Sequence, residues 1–402
     1  LKFPQWYDRY VDRGYDVVAQ TAVFDQIWVG TEVRDYYDSQ WGGTPPYEGF
    51  FIMRWLGAVG GAKTGGGWYD TLGTSPYTYI EQARQNVLGG AAESFLFNYN
   101  DLREPHGASL MAALTPHMDE LRTVAAEVGS RQLNGIVAYK PPNSHAGCSS
   151  SANSEVYARR ADNGGTSSSL DTTCIAEGNV FDFLGMLGFP LLPVAEYPPQ
   201  NGTVAAAFFT MHALKDPALP RKLTDAVHAG VEVLVTDGLK RALNGVVEAL
   251  AHAPNVHVLP LAHSKPVRDL LDNPPQGIGK LRKTMLAALG WGLELAEEQA
   301  DTTLEWVGFY PFKDGSWVVE NFANATKNLL LTVPSVGGDT TSVVPLKLQA
   351  RSWKHHWTRD TLRYSAAVAF ERSCGAVSAV SCAPNCGSAI VTALETCSAS
   401  GG

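Results

Sequence analysis

"YIEQARQNVLGGAAESFLFNYN", Tyr79 to Asn100, decides how this chain folds. Tyr79–Gly90 reads as a helix closed by its two glycines, the expected C-terminal stop. Glu93–Asn100 then reads as a strand. Helix, glycine stop and strand in succession is the rhythm of parallel α/β architecture. Working back from it, Gln26–Gly30 ("QIWVG") and Phe50–Leu56 ("FFIMRWL") are apolar runs of buried-strand type. Working forward, Ser109–Arg131 reads as one long amphipathic helix. Parallel strands joined by helices imply right-handed crossovers, so residues 1–133 are expected to be a run of β/α units.

"NGIVAYKPPNS" (Asn134–Ser144) opens a second unit with a strand at Ile136–Tyr139. His145–Cys174 is rich in Ser, Gly and Asn and is too irregular for core, and Cys148 and Cys174 can close it as one loop. The helix "NVFDFLGMLGF", the strands "PLLPVAEY", "TVAAAFFTMHAL" and Val231–Gly238, and the helix "PRKLTDAVHAG" restore the βαβ rhythm. A flavodoxin-like domain over 134–300 is expected. It contains no G-x-G-x-x-G and no G-x-x-x-x-G-K-[ST], hence no nucleotide signature. From residue 301 the pattern alternates with period two around a Lys-Asp-Gly-Ser turn, which predicts a small β-sandwich to 372. A Cys-rich tail, 373–402, follows. No internal repeat is present.

The bulk numbers narrow the function. The chain has 402 residues, 45% apolar and 18% charged, which describes a globular protein rather than a disordered one. A net charge of −9 argues against nucleic acid or an anionic membrane as partner. No apolar stretch approaches the length of a membrane span. Ten Trp, fifteen Tyr and fifteen Phe supply flat faces suited to sugar rings as well as to core. The N-terminus lacks an initiator Met and a signal-peptide apolar region, so the chain is expected to be a processed form or a fragment. Six cysteines, four of them gathered at Cys374, Cys382, Cys386 and Cys397, favour disulfides and an oxidising, extracellular compartment. Sequons at Asn201 and Asn324 point the same way. Zinc in the tail is the rival, but the cysteine spacing without nearby His fits zinc patterns poorly. His106, His117, His145 and His212 show no metal spacing, so no metal and no cofactor are expected.

The stretches "VGTEVRD", "FFIMRWL…GGGWYD", "YIEQARQNVLGGAAESFLFNYNDL" and "FDFLGMLGFPLLP…AAFFTMHAL…AGVEVLVTDGL" resemble the clan A glycoside hydrolases related to the family 42 β-galactosidases. The resemblance runs over roughly residues 20–240. It implies a (β/α)8 barrel, a flavodoxin-like trimerisation domain and a C-terminal β domain, with β-galactosides as substrate and a homotrimer as assembly. Only about three barrel strands precede the second domain, where a complete barrel has eight. The fold expected is therefore a partial (β/α)8-type barrel, a flavodoxin-like α/β domain and a β-sandwich. In that family the acid/base Glu follows an Asn, and this chain has no Asn-Glu pair, so that residue is not carried over.

Glycoside hydrolysis needs two carboxyl groups across the scissile bond, and barrels place such groups at the C-terminal ends of strands. Glu32 follows "QIWVG" and meets this condition, with Arg34 or Asp35 placed to tune it; a structural salt bridge is the plainer reading. The stretch Gly60–Asp70 ("GGAKTGGGWYD") reads as a loop after the second strand. In it Trp68 is the candidate sugar platform, Lys63 a hydroxyl ligand and Asp70 the alternative catalytic carboxylate. Arg54, inside an apolar run, needs a partner, with Glu32, Glu48 and Asp70 as the candidates. Trp41, Asn98 and Asp101 complete the expected substrate side. Asp237 resembles a ligand position at a sheet edge, but an assembly role for that domain is favoured. No G-x-S-x-G occurs, which excludes a serine hydrolase of that type. Two other classes stay open: a non-catalytic carbohydrate-binding or assembly protein, and an amidotransferase-like enzyme, which would need a nucleophilic Cys on an elbow.

Overall fold

Glycine and helix packing, more than strand propensity, organise the first ninety residues. In the computed structural model four short strands, β1 (Lys2–Phe3), β2 (Ile27–Gly30), β3 (Thr64–Tyr69) and β4 (Glu93–Leu96), form one parallel sheet in the order β1-β2-β3-β4. The helices α1 (Val17–Val23), α2 (Glu48–Gly60) and α3 (Pro76–Leu88) connect them. This is half of a β/α barrel, four sequential β/α steps with the strands in chain order. The structure describes residues 1–358 except 6, 8, 9, 11–13, 39, 41, 42, 97–102, 145–176, 201, 202, 262–268, 297–303 and 335–340.

Three expectations are corrected here. Phe50–Leu56 is not a strand but the middle of helix α2, in which Phe50, Phe51, Ile52, Met53, Trp55 and Leu56 are all buried. The helix packs on β2 and β3 on one side and on strand β6 (Leu191–Val194) on the other. A helix covered on both sides has no polar face, so its sequence loses the 3.6-residue period and imitates a buried strand. Conversely, Gly60–Asp70 is not a loop: a short 3-10 turn, Gly61–Lys63, leads into β3. Its glycines bring neighbouring backbone and side chains close. A Cβ on Gly66 would lie 2.0 Å from the Glu93 carbonyl oxygen, and one on Gly67 would lie 1.9 Å from Asn86 Oδ1. The expected single helix Ser109–Arg131 is likewise two, α4 (Pro105–Leu114) and α5 (Met118–Gly129), separated by the 3-10 turn Thr115–His117. Pro116, inside that turn, has no N–H for an α-helical bond.

The second parallel sheet consists of β5 (Ile136–Tyr139), β6, β7 (Ala206–Phe209), β8 (Glu232–Thr236) and β9 (Val256–Leu259) in the order β6-β5-β7-β8-β9. Renumbered within the sheet this is 2-1-3-4-5, the flavodoxin order. β5 and β7 are buried along their whole length, as expected of strands covered on both faces. Helix α6 (Val180–Gly185) lies on the crossover from β5 to β6, and α7 (Leu219–His228) joins β7 to β8.

Six further strands form two antiparallel sheets. One is β10 (Gly292–Leu295), β13 (Lys327–Pro334) and β14 (Thr341–Leu348), and the other is β11 (Val307–Pro311), β12 (Trp317–Asn321) and β15 (Ser352–His356). Leu293, Phe309, Val319, Leu329, Leu331 and Leu348 share one core between them, which makes the pair a sandwich. β10 lies within 134–300 yet is hydrogen-bonded into this sandwich. The second sheet docks on helix α3. Glu320 accepts from Arg84 Nη1 (3.3 Å) and Gln85 Nε2 (2.7 Å), and Arg351 Nη1 lies 3.1 Å from both carboxylate oxygens of Glu81. The six cysteines and Asn201 fall outside the described residues.

Candidate active site

β2 and β3 are paired so that Gly30 stands opposite Trp68. The pairing runs on for one residue, because Thr31 N–H donates to the Trp68 carbonyl at 2.8 Å. The segments that follow therefore leave the same end of the sheet side by side, one carrying Glu32 and Arg34 and the other Asp70. All three side chains are buried. Arg34 Nη2 lies 3.4 Å from Asp70 Oδ2, and Asp70 Oδ1 accepts the Leu72 N–H at 3.0 Å. Gln82 of helix α3 ties the two segments together: it accepts the Val33 N–H at 3.2 Å and donates to the Asp70 carbonyl at 3.2 Å.

The Glu32 carboxyl turns back over its own strand. A Cβ on Gly30 would lie 2.6 Å from Glu32 Oε2, 2.8 Å from the Gln5 nitrogen and 2.9 Å from Pro4 Cα, so only glycine leaves room for it. Burial pushes the Glu32 carboxyl up to about 8, and the negative charge of Asp70 adds to the rise. Its own N–H, the Arg34 charge and the Gln5 N–H act in the opposite sense and do not overcome burial. A carboxyl that keeps its proton at neutral pH, beside a carboxylate ion-paired to arginine, is the arrangement that divides acid from anion between two like groups.

The structure joins Glu32 and Asp70, the two carboxylates expected, and separates others from them. Lys63 stands before β3, at the opposite end of that strand from Asp70, and its Nζ donates to the Thr21 and Ala22 carbonyls at 2.9 and 3.0 Å. It caps helix α1. Arg54 pairs with none of the expected acids: its Nε and Nη2 donate to the Leu88 carbonyl at 3.2 and 2.9 Å, at the end of helix α3. Trp68 is buried, with Lys2 Nζ 6.0 Å from its ring centroid, so it is packing rather than an open platform. Trp41, Asn98 and Asp101 lie outside the described residues. Sequence reading missed Gln82 and Gln5. The signal for Gln82 was a polar residue where helix α3 buries nearly all of its length. Gln5 acts through a backbone N–H, which no residue type announces.

Residues 1–117 match the family described as "Probable glycosyl hydrolase, catalytic domain". An uncharacterized protein of Saccharolobus solfataricus is 28% identical over 129 residues, which cover 30% of this chain and 21% of that protein. Among solved structures, Gan42B, a GH42 β-galactosidase, aligns with a TM-score of 0.48 and 8% identity over 85% of this chain and 61% of that one. A catalytic mutant of Gan42B from G. stearothermophilus aligns with the same score and identity over 85% and 60%. The chain thus spans about a fifth of the length of the curated relative and about three fifths of the solved enzymes. The fold assignment rests on the strand orders given above.

Proposed function

We propose that the chain hydrolyses β-glycosides, with Glu32 as the general acid and Asp70 as the ionised partner. The observation that carries this reading is the burial of Glu32 beside the Arg34–Asp70 ion pair, at adjacent strand ends, inside the segment that matches a glycosyl hydrolase catalytic domain. Glu32 holds a proton at neutral pH and gives it to the glycosidic oxygen as the bond to the anomeric carbon breaks; a water molecule supplies the hydroxyl that the anomeric carbon takes, and its proton returns to the carboxyl pair. Asp70, in contact with Arg34, is placed to face the positive charge that develops on the sugar ring. The resemblance to family 42 enzymes supports a galactoside as substrate. Secretion belongs to the same proposal, and Asn324 of the second sequon is exposed, as a glycan acceptor requires.

The test is turnover of aryl β-galactosides and aryl β-glucosides by the wild-type chain, Glu32→Gln and Asp70→Asn. Each substitution is expected to lower kcat/KM by about 10²-fold or more. Wild-type turnover by both variants would sink the assignment, and binding of oligosaccharide without turnover by the wild type would favour a non-catalytic protein.

A further inference from the structure

Besides its own N–H, the Glu32 carboxyl is served by the N–H of the Pro4–Gln5 peptide unit, just beyond the end of β1. That unit and the peptide unit that follows it are both gripped. Tyr10 Oη donates to the Pro4 carbonyl at 2.7 Å, and this carbonyl belongs to the same peptide plane as the Gln5 N–H. On the other side the Gln5 carbonyl accepts the Tyr7 N–H at 2.7 Å. Tyr7 and Tyr10 are both buried. A hydrogen bond to a peptide carbonyl polarises the plane and strengthens its N–H as a donor.

Tyr7 is in turn held from the second α/β unit. Its Oη donates to Asp182 Oδ2 at 2.7 Å, in helix α6, and Asn179 Nδ2 also reaches that oxygen at 2.7 Å. Lys140, the residue after β5, is buried with its Nζ 5.1 Å from the Tyr7 ring centroid and 5.2 Å from that of Trp55. The Lys140 carbonyl accepts Trp55 Nε1 at 2.7 Å, and the Trp55 ring stacks on Tyr10 at 6.4 Å. Both tyrosines therefore rest on groups supplied by, or tied to, the carboxyl edge of the flavodoxin-like sheet.

We propose that Tyr7 and Tyr10 are positioning residues for Glu32, and that Asp182 and Lys140 make the second α/β unit part of the active-site support. The inference rests on the reading of Glu32 as the general acid. As Glu32 gives up its proton, its carboxylate needs a donor already in place, and the Pro4–Gln5 N–H, fixed on both sides, supplies one without reorganisation. Releasing either tyrosine hydroxyl loosens that donor while leaving Asp70 and Arg34 as they were. The neutral acid then becomes more favoured over the anion.

The experiment follows Glu32 itself. The carboxyl infrared band that disappears in Glu32→Gln is titrated in the wild-type chain, Tyr7→Phe, Tyr10→Phe, Asp182→Asn, the double variant Tyr7→Phe/Asp182→Asn, and Lys63→Met as a remote control. The Glu32 midpoint is expected to rise by roughly half a pH unit or more in each of the three single tyrosine-network variants. The double variant is expected to shift no further than the larger of its two singles, because the two groups act through one bond, and Lys63→Met is expected to leave the midpoint in place. Near-ultraviolet circular dichroism identifies the folded variants, and either tyrosine variant, once folded, suffices to read the result. An unmoved midpoint in folded Tyr7→Phe or folded Tyr10→Phe overturns the proposal. The titration needs no turnover, so it fails or succeeds separately from the glycosidase reading, which Glu32→Gln activity tests.

Discussion

Arg34 Nη2 and Asp70 Oδ2 meet at 3.4 Å across the ends of two adjacent strands, and both side chains are buried. A buried ion pair adds little over an apolar replacement of both partners, but removing one partner strands the other charge. Arg34→Met is therefore predicted to destabilise the chain by about 3–5 kcal/mol in urea unfolding. The double variant Arg34→Met/Asp70→Asn is predicted to recover part of that loss. Equal stability of both variants would show that the pair is not electrostatically coupled.

Gly30 gives a second prediction, because its Cα carries the Glu32 carboxyl against it. Gly30→Ala is predicted to displace that carboxyl and the Pro4–Gln5 peptide, to cost about 1–3 kcal/mol as overpacking, and to lower turnover. Gly57→Ala is the control. It lies in helix α2 with nothing within 4 Å of a new Cβ, and it is predicted to be neutral or stabilising by about 0.5–1 kcal/mol. Thermal unfolding and aryl-glycoside assays on the two variants check both statements.

The positions read correctly from sequence share one property: backbone period and strand ends reveal them. Strand β2, the helix before Gly89, the flavodoxin-like βαβ rhythm and the hairpin around Lys313–Ser316 all came from local pattern, and so did the placing of Glu32. Phe50–Leu56 misled because α2 is packed between two sheets and shows no polar face. Asp70 was picked from a stretch read as loop, whereas it follows strand β3, since the glycines of β3 serve close approach of neighbours and mimic turn composition. Helix α3 hid the most. Glu81, Gln82, Arg84 and Gln85 are all buried on it because the β-sandwich and the site segments cover its polar side. Those partners lie up to 270 residues away in the chain, beyond any local signal.

Stability should fall as pH rises. Burial is the largest cause of the raised carboxyls of Glu32 and Glu320, at about 8, and of Glu81 and Glu177, at about 7. The unfolded chain releases these protons near pH 4.3, so between there and about pH 8 the folded state binds more protons than the unfolded one. The stabilisation is complete below the unfolded value and is lost through the folded values. Urea midpoints are predicted to drop between about pH 5 and pH 9, and Glu320→Gln is predicted to flatten that slope while keeping an acceptor for Arg84 and Gln85. A midpoint that climbs over this range would contradict the buried protonated state.

Arg54 separates structure from chemistry. Arg54→Met removes two donors from the Leu88 carbonyl at the end of helix α3 and is predicted to cost about 1–3 kcal/mol. The pH dependence of turnover is predicted to stay that of the wild type, since Arg54 does not contribute to the Glu32 shift. A displaced pH profile would return Arg54 to the site.

Whether Glu32 works as a buried acid beside the Arg34–Asp70 pair is read from the pH dependence of kcat/KM on an aryl β-galactoside with a poor leaving group. The free-enzyme acid sets the basic limb of that profile. The rate is predicted to fall about tenfold per pH unit above about pH 8, and that limb is predicted to be absent in the residual activity of Glu32→Gln. A wild-type rate that stays level or rises between about pH 7 and pH 9.5, with the same profile in Glu32→Gln, would contradict it.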